Sequence, residues 1–574
     1  MLYVLKIAVV LFPLFLGAQL VIKPENLTKK ENTYWDFNKT QIQSTGSYYQ
    51  DILGATKDKH GKWIYYDKFG KIEEERNCYR GKLNGKVVLY YPNGKLKQEG
   101  YFKIIFQEGV NQMIELQDSA YREWHENGFP SREGYFELGK PKGIWKNYYY
   151  DGREMSYEEL IDSISYIKSF WLPDPKHTKT IVDGTGEMTL YHSTGAVKEW
   201  YNYKNGRQNG PFEEQSIYGY TTLSGSFIDG VKDGEWKFYY YTGNLEKTSV
   251  YRNGVLNGPY AYYYDKGQLN VSGNYIDGKK DGLWKWFTNT GSPDMQGNFV
   301  KDLQEGQWLY WYPTGEKSYT AHYTKGLKSG TWTYLYKDGS TFKKGDFSND
   351  LKNGKWQTWY ENGILLMDGV YSNGKEEGMW INYWDDGKVK NSVTFKAGLM
   401  NGEWKSFSPT GKPKLTGFYK NNDKTGKWTN YYENGSPKDI FTYKIVDKKS
   451  DVKYGFFKGH TVKESVKHGY SASFSNKDYK VLEEGNYKKG KKEGEWKEYF
   501  PGLKAPALIS NFKAGELEGP MKEFDKGGKK ISEINYSKGV KHGRFIIYGE
   551  NGKILTEKMF AEGVELKLKN KAFK

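Results

Sequence analysis

Large apolar side chains recur in this chain at a fixed interval. Between residues 186 and 435 a glycine returns every 24 residues, at 186, 210, 234, 258, 282, 306, 330, 354, 378, 402 and 426. Two residues after each stands a large apolar side chain: Met188, Phe212, Trp236, Tyr260, Trp284, Trp308, Trp332, Trp356, Trp380, Trp404 and Trp428. Nine residues after it comes a second glycine (Gly243 and Gly363 are examples), and seventeen after it always Tyr or Phe, from Tyr203 to Tyr443. Period-two alternation between these positions predicts strands. A repeat held this strictly predicts an array of identical supersecondary units.

Each unit reads as a β-hairpin. Asn362-Gly363, Asp386-Gly387 and Asn434-Gly435 are flanked by β-forming residues, the dipeptides of a two-residue type I′ turn. A second turn precedes each first glycine, as in the stretch from Asp229 to Gly234. Two strands and two turns fill 24 residues and leave no room for a helix. The fold expected is all-β: an elongated array of about eighteen such hairpins, forming a twisted single-layer ribbon or solenoid broken by short insertions.

A two-residue turn fixes the pairing. Trp404 then faces Gly417, Trp356 faces Gly369, Trp332 faces Gly345 and Tyr260 faces Gly273. The same register puts Phe395 opposite Gly378 and Tyr371 opposite Gly354. Each ring is expected to cover its cross-strand glycine. By parity both glycine sets and both aromatic sets share one packed face. Gly234, Trp236, Gly243, Gly282, Trp284, Gly354, Trp356, Gly402 and Trp404 are therefore read as structural positions. The opposite face carries the residue five after each first glycine. There Tyr191, Tyr239, Tyr263, Phe287, Trp311, Trp359, Tyr383, Phe407 and Tyr431 form an aromatic row in a field of Lys, Glu, Thr and Gln. That row is the candidate binding face, and cross-strand stabilisation of the sheet is the alternative reading.

The rhythm also sets the boundaries. Residues 1–18, with Lys6 before the apolar run Ile7 to Leu16 and small residues Gly17 and Ala18 after it, read as an export signal; an uncleaved anchor is the alternative. A polar segment follows at 19–33, then repeats over 34–155, with Thr45-Gly46 as the first turn and an interruption from Tyr101 to Leu116. Loosely helical spacing from Ser156 to Phe170 makes 156–180 a linker. The eleven-unit array occupies 181–443, an insertion 444–467, less regular repeats 468–565 and a basic tail 566–574.

Composition adds two points. With 51 Tyr, 29 Phe and 19 Trp, buryable area comes from rings and not from a Leu/Ile/Val interior. The net charge of +16 is concentrated at one end: residues 441–574 hold 29 Lys and Arg against 18 Asp and Glu. One cysteine, Cys78, excludes an internal disulfide; seventeen residues after Gly61, it reads as a small buried hydrophobe.

The stretches Asp233-Gly234-Glu235-Trp236-Lys237-Phe238-Tyr239-Tyr240 and Asn353-Gly354-Lys355-Trp356 resemble MORN (membrane occupation and recognition nexus) repeats, and more closely the bacterial MORN-variant repeat, some members of which are labelled antitoxin components. The resemblance implies an array of β-hairpins acting as a binding or scaffolding platform, with family links to phospholipid and protein contact and no shared catalytic residues. No phosphate-binding loop, zinc-type His-Glu-x-x-His or Gly-x-Ser-x-Gly elbow is present. His60, His468 and His542 share one slot before a first glycine, held elsewhere by Asn257, Asp281 or Glu305, so it is a turn slot. The expectation is an exported protein, periplasmic or at the cell surface, that is not an enzyme and uses no metal or cofactor. Its partner is expected to be a protein or envelope component. An envelope glycan or anionic lipid held by the basic C-terminal region is the second reading, and neutralisation of a toxin the third. Nucleic acid is not expected.

Overall fold

Alternating side chains and closely spaced turns give hairpin after hairpin in the computed structural model. It describes residues 22–107, 112–449 and 461–567; the expected export signal and nearly all of the basic tail lie outside them. The chain divides into two compact units, residues 1–279 and 280–574. Within each, successive strands pair antiparallel with their neighbours in sequence as an open sheet, and no α-helix occurs among the described residues.

The expected register is observed. Trp404 pairs with Gly417, Trp356 with Gly369, Trp332 with Gly345 and Tyr260 with Gly273. The type I′ turn expected at the second glycine is not found there. At the second glycine the loop is a type I turn closed by glycine: the Gly243 amide donates to the Tyr240 carbonyl at 2.8 Å, and the Tyr240 amide to Asn244 at 2.8 Å. Only the glycine there has a positive φ, +85°, and the one-residue bulge between Phe238 and Tyr239 restores the pairing. Type I′ geometry sits at the other turn, where Asp229 and Gly230 have φ of 47° and 79° and Asn253 and Gly254 have 50° and 79°. Both central residues are left-handed there, as this turn requires.

The glycines divide into two kinds. A Cβ on Gly345 would stand 2.1 Å from the Trp356 ring, and one on Gly417 2.1 Å from Trp428. Each of these glycines therefore carries the indole of the following repeat, and not, as parity suggested, that of its own. The first glycines Gly354 and Gly378 are not covered by Tyr371 and Phe395, the rings expected over them. Gly234 and Gly282 would meet nothing within 4 Å but hold φ of +77° and +76°. Such a φ suits a strand with extra residues, as where Asn353 pairs with Asp346 and Trp356 already pairs with Gly345. Gly46 is of the ring-bearing kind and lies inside the strand Ile42–Asp51 under Trp63, so the expected turn at Thr45-Gly46 does not exist.

The interruptions also fold as strands. Leu96–Gln107 outruns its hairpin and pairs with Gln112–Gln117. Pro437–Lys449 pairs with Thr461–Phe474, so the described part of the expected insertion at 444–467 is a lengthened hairpin. The expected linker is a correction of a larger kind: Glu154–Ile161 and Ile164–Trp171 form an antiparallel pair. Ile167, Phe170 and Ile181 from this region join Met188 in a buried cluster.

Candidate functional site

The packed face is built one indole at a time. Trp356 is seated on Gly345, with the Phe347 ring edge-on at 5.1 Å and 89°. Its Nε1–H donates to the Asp346 carbonyl at 3.0 Å. The same donor–carbonyl pair forms in Trp236, Trp332, Trp380, Trp428 and Trp496. A lysine two residues before the first glycine lies over the ring from the open side: Lys232 Nζ is 4.1 Å from the Trp236 centroid, Lys424 4.4 Å from Trp428 and Lys492 4.0 Å from Trp496. The aliphatic stem screens the indole while the ammonium keeps a cation–π contact. Burial holds the Lys232 ammonium below the usual lysine range. This covering lysine explains how one sheet layer leaves Trp236 0% and Trp356 1% exposed. Sequence reasoning passed over it, because the lysine recurs less regularly than the tryptophan: Lys232, Lys280, Lys328, Lys352 and Lys424 hold the slot, but Gln304, Glu376 and Met400 stand there in other repeats.

A second row escaped it too. The tyrosine six after the first glycine reaches into the next repeat. Tyr240 Oη donates to the Tyr263 carbonyl at 2.7 Å, Tyr312 to Leu335 at 2.7 Å, Tyr336 to Trp359 at 2.7 Å and Tyr360 to Tyr383 at 2.9 Å. The slot before the first glycine has a matching role. Asp233 accepts the Asn253 amide at 3.0 Å and Glu305 the Lys325 amide at 2.7 Å, capping the type I′ turn. His60, buried and held below the usual histidine range by burial and by Arg80, accepts the Arg80 amide through Nδ1 at 3.1 Å. Among the described residues no cluster of His, Cys, Asp or Glu could hold a metal.

Cys78 faces Gly61 across the strand pair and is 2% exposed, and burial pushes its thiol up to about 11. Since the thiolate is the reactive form, native protein at pH 8 should resist iodoacetamide and react only after denaturation. Mass-spectrometric quantification of the alkylated Cys78 peptide checks this.

The candidate row sits at the loop-proximal end of the first strand in each hairpin. In the first unit, Tyr191 pairs with Val197, Tyr239 with Leu245 and Tyr263 with Leu269. In the second, Trp311 pairs with Lys317, Trp359 with Leu365, Tyr383 with Val389 and Phe407 with Pro413, while Phe287 and Tyr431 face Pro293 and Pro437. The cross-strand partners are aliphatic or proline apart from Lys317, and among the described residues none of Trp311, Trp359 and Tyr383 makes a ring–ring contact. Tyr191 is exposed, and the others are half-buried.

Two-stranded units stacked by indole, glycine and lysine define a β-hairpin repeat protein. It is a protein of MORN repeats: the family model described as MORN repeat variant matches residues 59–79, 83–103, 232–253, 352–373, 376–397, 400–421, 424–444 and 517–538. Such repeats point to a repeat-built binding or scaffold module. No curated protein matches the chain. Among solved structures, TcdB2-TccC3 without its hypervariable C-terminal region aligns at 11% identity over 93% of this chain and 30% of that one, with a TM-score of 0.13. A mutant Tc holotoxin pore of Photorhabdus luminescens aligns at 10% identity over 90% and 33%, with a TM-score of 0.11. The chain thus spans about a third of those chains.

Proposed function

We propose that this is an exported, non-enzymatic scaffold that holds a protein or other cell-envelope component along the aromatic row of the outer face. The observation that supports this reading is the row itself. Trp311, Trp359 and Tyr383 come once per repeat, half-buried, with no aromatic partner to stabilise. Rings presented in this way supply large contact area at little side-chain entropy. The absence of any catalytic motif and the apolar segment Ile7 to Leu16 accord with it.

The test is capture from an envelope fraction with the full chain and with a Trp359→Ala/Tyr383→Ala variant. Loss of a specific partner, with the thermal midpoint lowered only by the amount that half-buried truncations cost (about 1–2 kcal/mol), is the expected outcome. Equal capture by both proteins assigns the row to sheet stabilisation and sinks the proposal.

A further inference from the structure

The inner face changes character part-way along the second unit. At the position four after the first glycine stand Trp286, Tyr310 and Tyr334, and their rings pack onto the indole core; Tyr310 also stacks on Tyr319 at 4.0 Å. Three later repeats place Asn382, Ser406 and Asn430 in that slot, paired with Asn391, Leu415 and Asp439. Where the rings are missing a trough of about 410 Å³ opens.

Lysines border it. The position twelve after the first glycine is Lys390, Lys414 and Lys438 in these three repeats, and Asp294, Ser318, Phe342 and Leu366 in the four before. All three lysines are exposed, none is in an ion pair among the described residues, and Asp439 is the sole carboxylate lining the trough. Trp384 closes one end. It occupies the slot from which Tyr336 and Tyr360 bond to the next repeat, but its indole N–H is buried without a partner, and Lys390 Nζ lies 4.5 Å from its ring.

We propose that this trough binds an acidic polysaccharide chain. Lysines one repeat apart, roughly 10 Å at two strands per repeat, match a polymer with a regular charge. The Asn430 amide offers donor and acceptor to vicinal hydroxyls. Asn391 keeps its Nδ2 donor while its Oδ1 accepts from Asn382 Nδ2 at 2.8 Å, and the Trp384 N–H is a buried donor without a partner beside them. An extended peptide suits the floor less well. Its main chain needs a free strand edge to pair with, and the strands here are paired on both sides. Phe407 and Tyr431 of the aromatic row also line the trough, whereas Trp359 and Tyr383, the two residues of the row substituted in the capture test, do not, so the two readings are tested separately.

The experiment uses the full chain and polygalacturonate, with dextran, poly-L-glutamate and anionic phosphatidylglycerol vesicles as parallel probes, all at two salt concentrations. Saturable, salt-sensitive binding of polygalacturonate and none of dextran is expected. Lys390→Gln/Lys414→Gln/Lys438→Gln should weaken it about tenfold, since each lost contact is partly exposed. A charge-matched control at the exposed Lys337, Lys396 and Lys420 should stay within about twofold. Ser406→Tyr installs the ring that Tyr310 and Tyr334 supply in earlier repeats and should block binding without loss of thermal stability. Equal weakening in the two lysine triples, undiminished binding by Ser406→Tyr, or tighter binding of poly-glutamate or vesicles than of polygalacturonate would each overturn the proposal.

Discussion

Replacing Gly345 with valine should destabilise the array by roughly 3 kcal/mol or more, toward the upper end of overpacking costs. The Trp356 ring already lies where the new Cβ would be, 2.1 Å away. No rotamer relieves that overlap, because the indole is held on three sides: by the Gly345 backbone, the edge of Phe347, and Lys352 at 4.8 Å. Lifting the ring also breaks the 3.0 Å bond from Nε1 to the Asp346 carbonyl. One repeat already shows the alternative arrangement. Val393 occupies the glycine slot opposite Trp404, and Trp404 is only half-buried with its indole N–H unpaired. In a stack of nearest-neighbour contacts the damage should be local. Hydrogen exchange should therefore rise in the strands flanking Gly345 and leave distant repeats protected. Gly363→Ala serves as the control. Its Cβ would meet nothing within 4 Å, so only the φ of +80° opposes it, at about 1–2 kcal/mol. If the two variants melt alike, the seat of the indole is not what joins the repeats.

The comparison of these glycines shows where sequence reasoning reached and where it stopped. Strict periodicity carried the hairpin, the strand parity and the register, since each follows from a period of two counted from a fixed turn. It could not tell which indole rests on Gly345. That glycine pairs with Trp332 on one side and Trp356 on the other, and parity treats the two alike. The bulge after Asn353 decides, by aiming Trp356 back over its neighbour. The type I′ turn was expected at the wrong end of the unit for a related reason: Asn-Gly and Asp-Gly dipeptides occur at both ends, at Asn362-Gly363 and at Asn253-Gly254. Residue preference alone does not count how many residues the loop spans. Of the candidate site, the outer aromatic row was legible because it repeats. The trough was not, because it consists of departures from the repeat at Asn382, Ser406 and Asn430, which a search for regularity passes over.

Phe170→Ala should cost about 3–5 kcal/mol, the range for emptying a fully buried aromatic site. Phe170 is 0% exposed and packs with Ile181, also 0% exposed, beside Ile167 and Met188. This cluster, with Phe170 as its one aromatic member and no tryptophan among its buried residues, lies where the sequence suggested a linker. The alternation there is hidden by a register shift: Tyr157 pairs with Ser169, but Glu158 pairs with Ile167. The two halves of the pair therefore differ in parity, and the apolar residues drift toward a helix-like spacing. Backbone bonds lock the segment onto the repeats, with the Ile167 amide on the Gly206 carbonyl at 2.9 Å and the Gly184 amide on Lys168 at 3.0 Å. The cavity left by alanine has little means of collapsing, since strands on either side are fixed by these bonds. Limited proteolysis should then cut first between residues 154 and 182, with Trp171 fluorescence shifting to the red, before the 24-residue repeats begin to open. A flexible linker would behave otherwise: it would be cleaved readily in the unsubstituted chain, and Phe170→Ala would leave the melting curve unchanged.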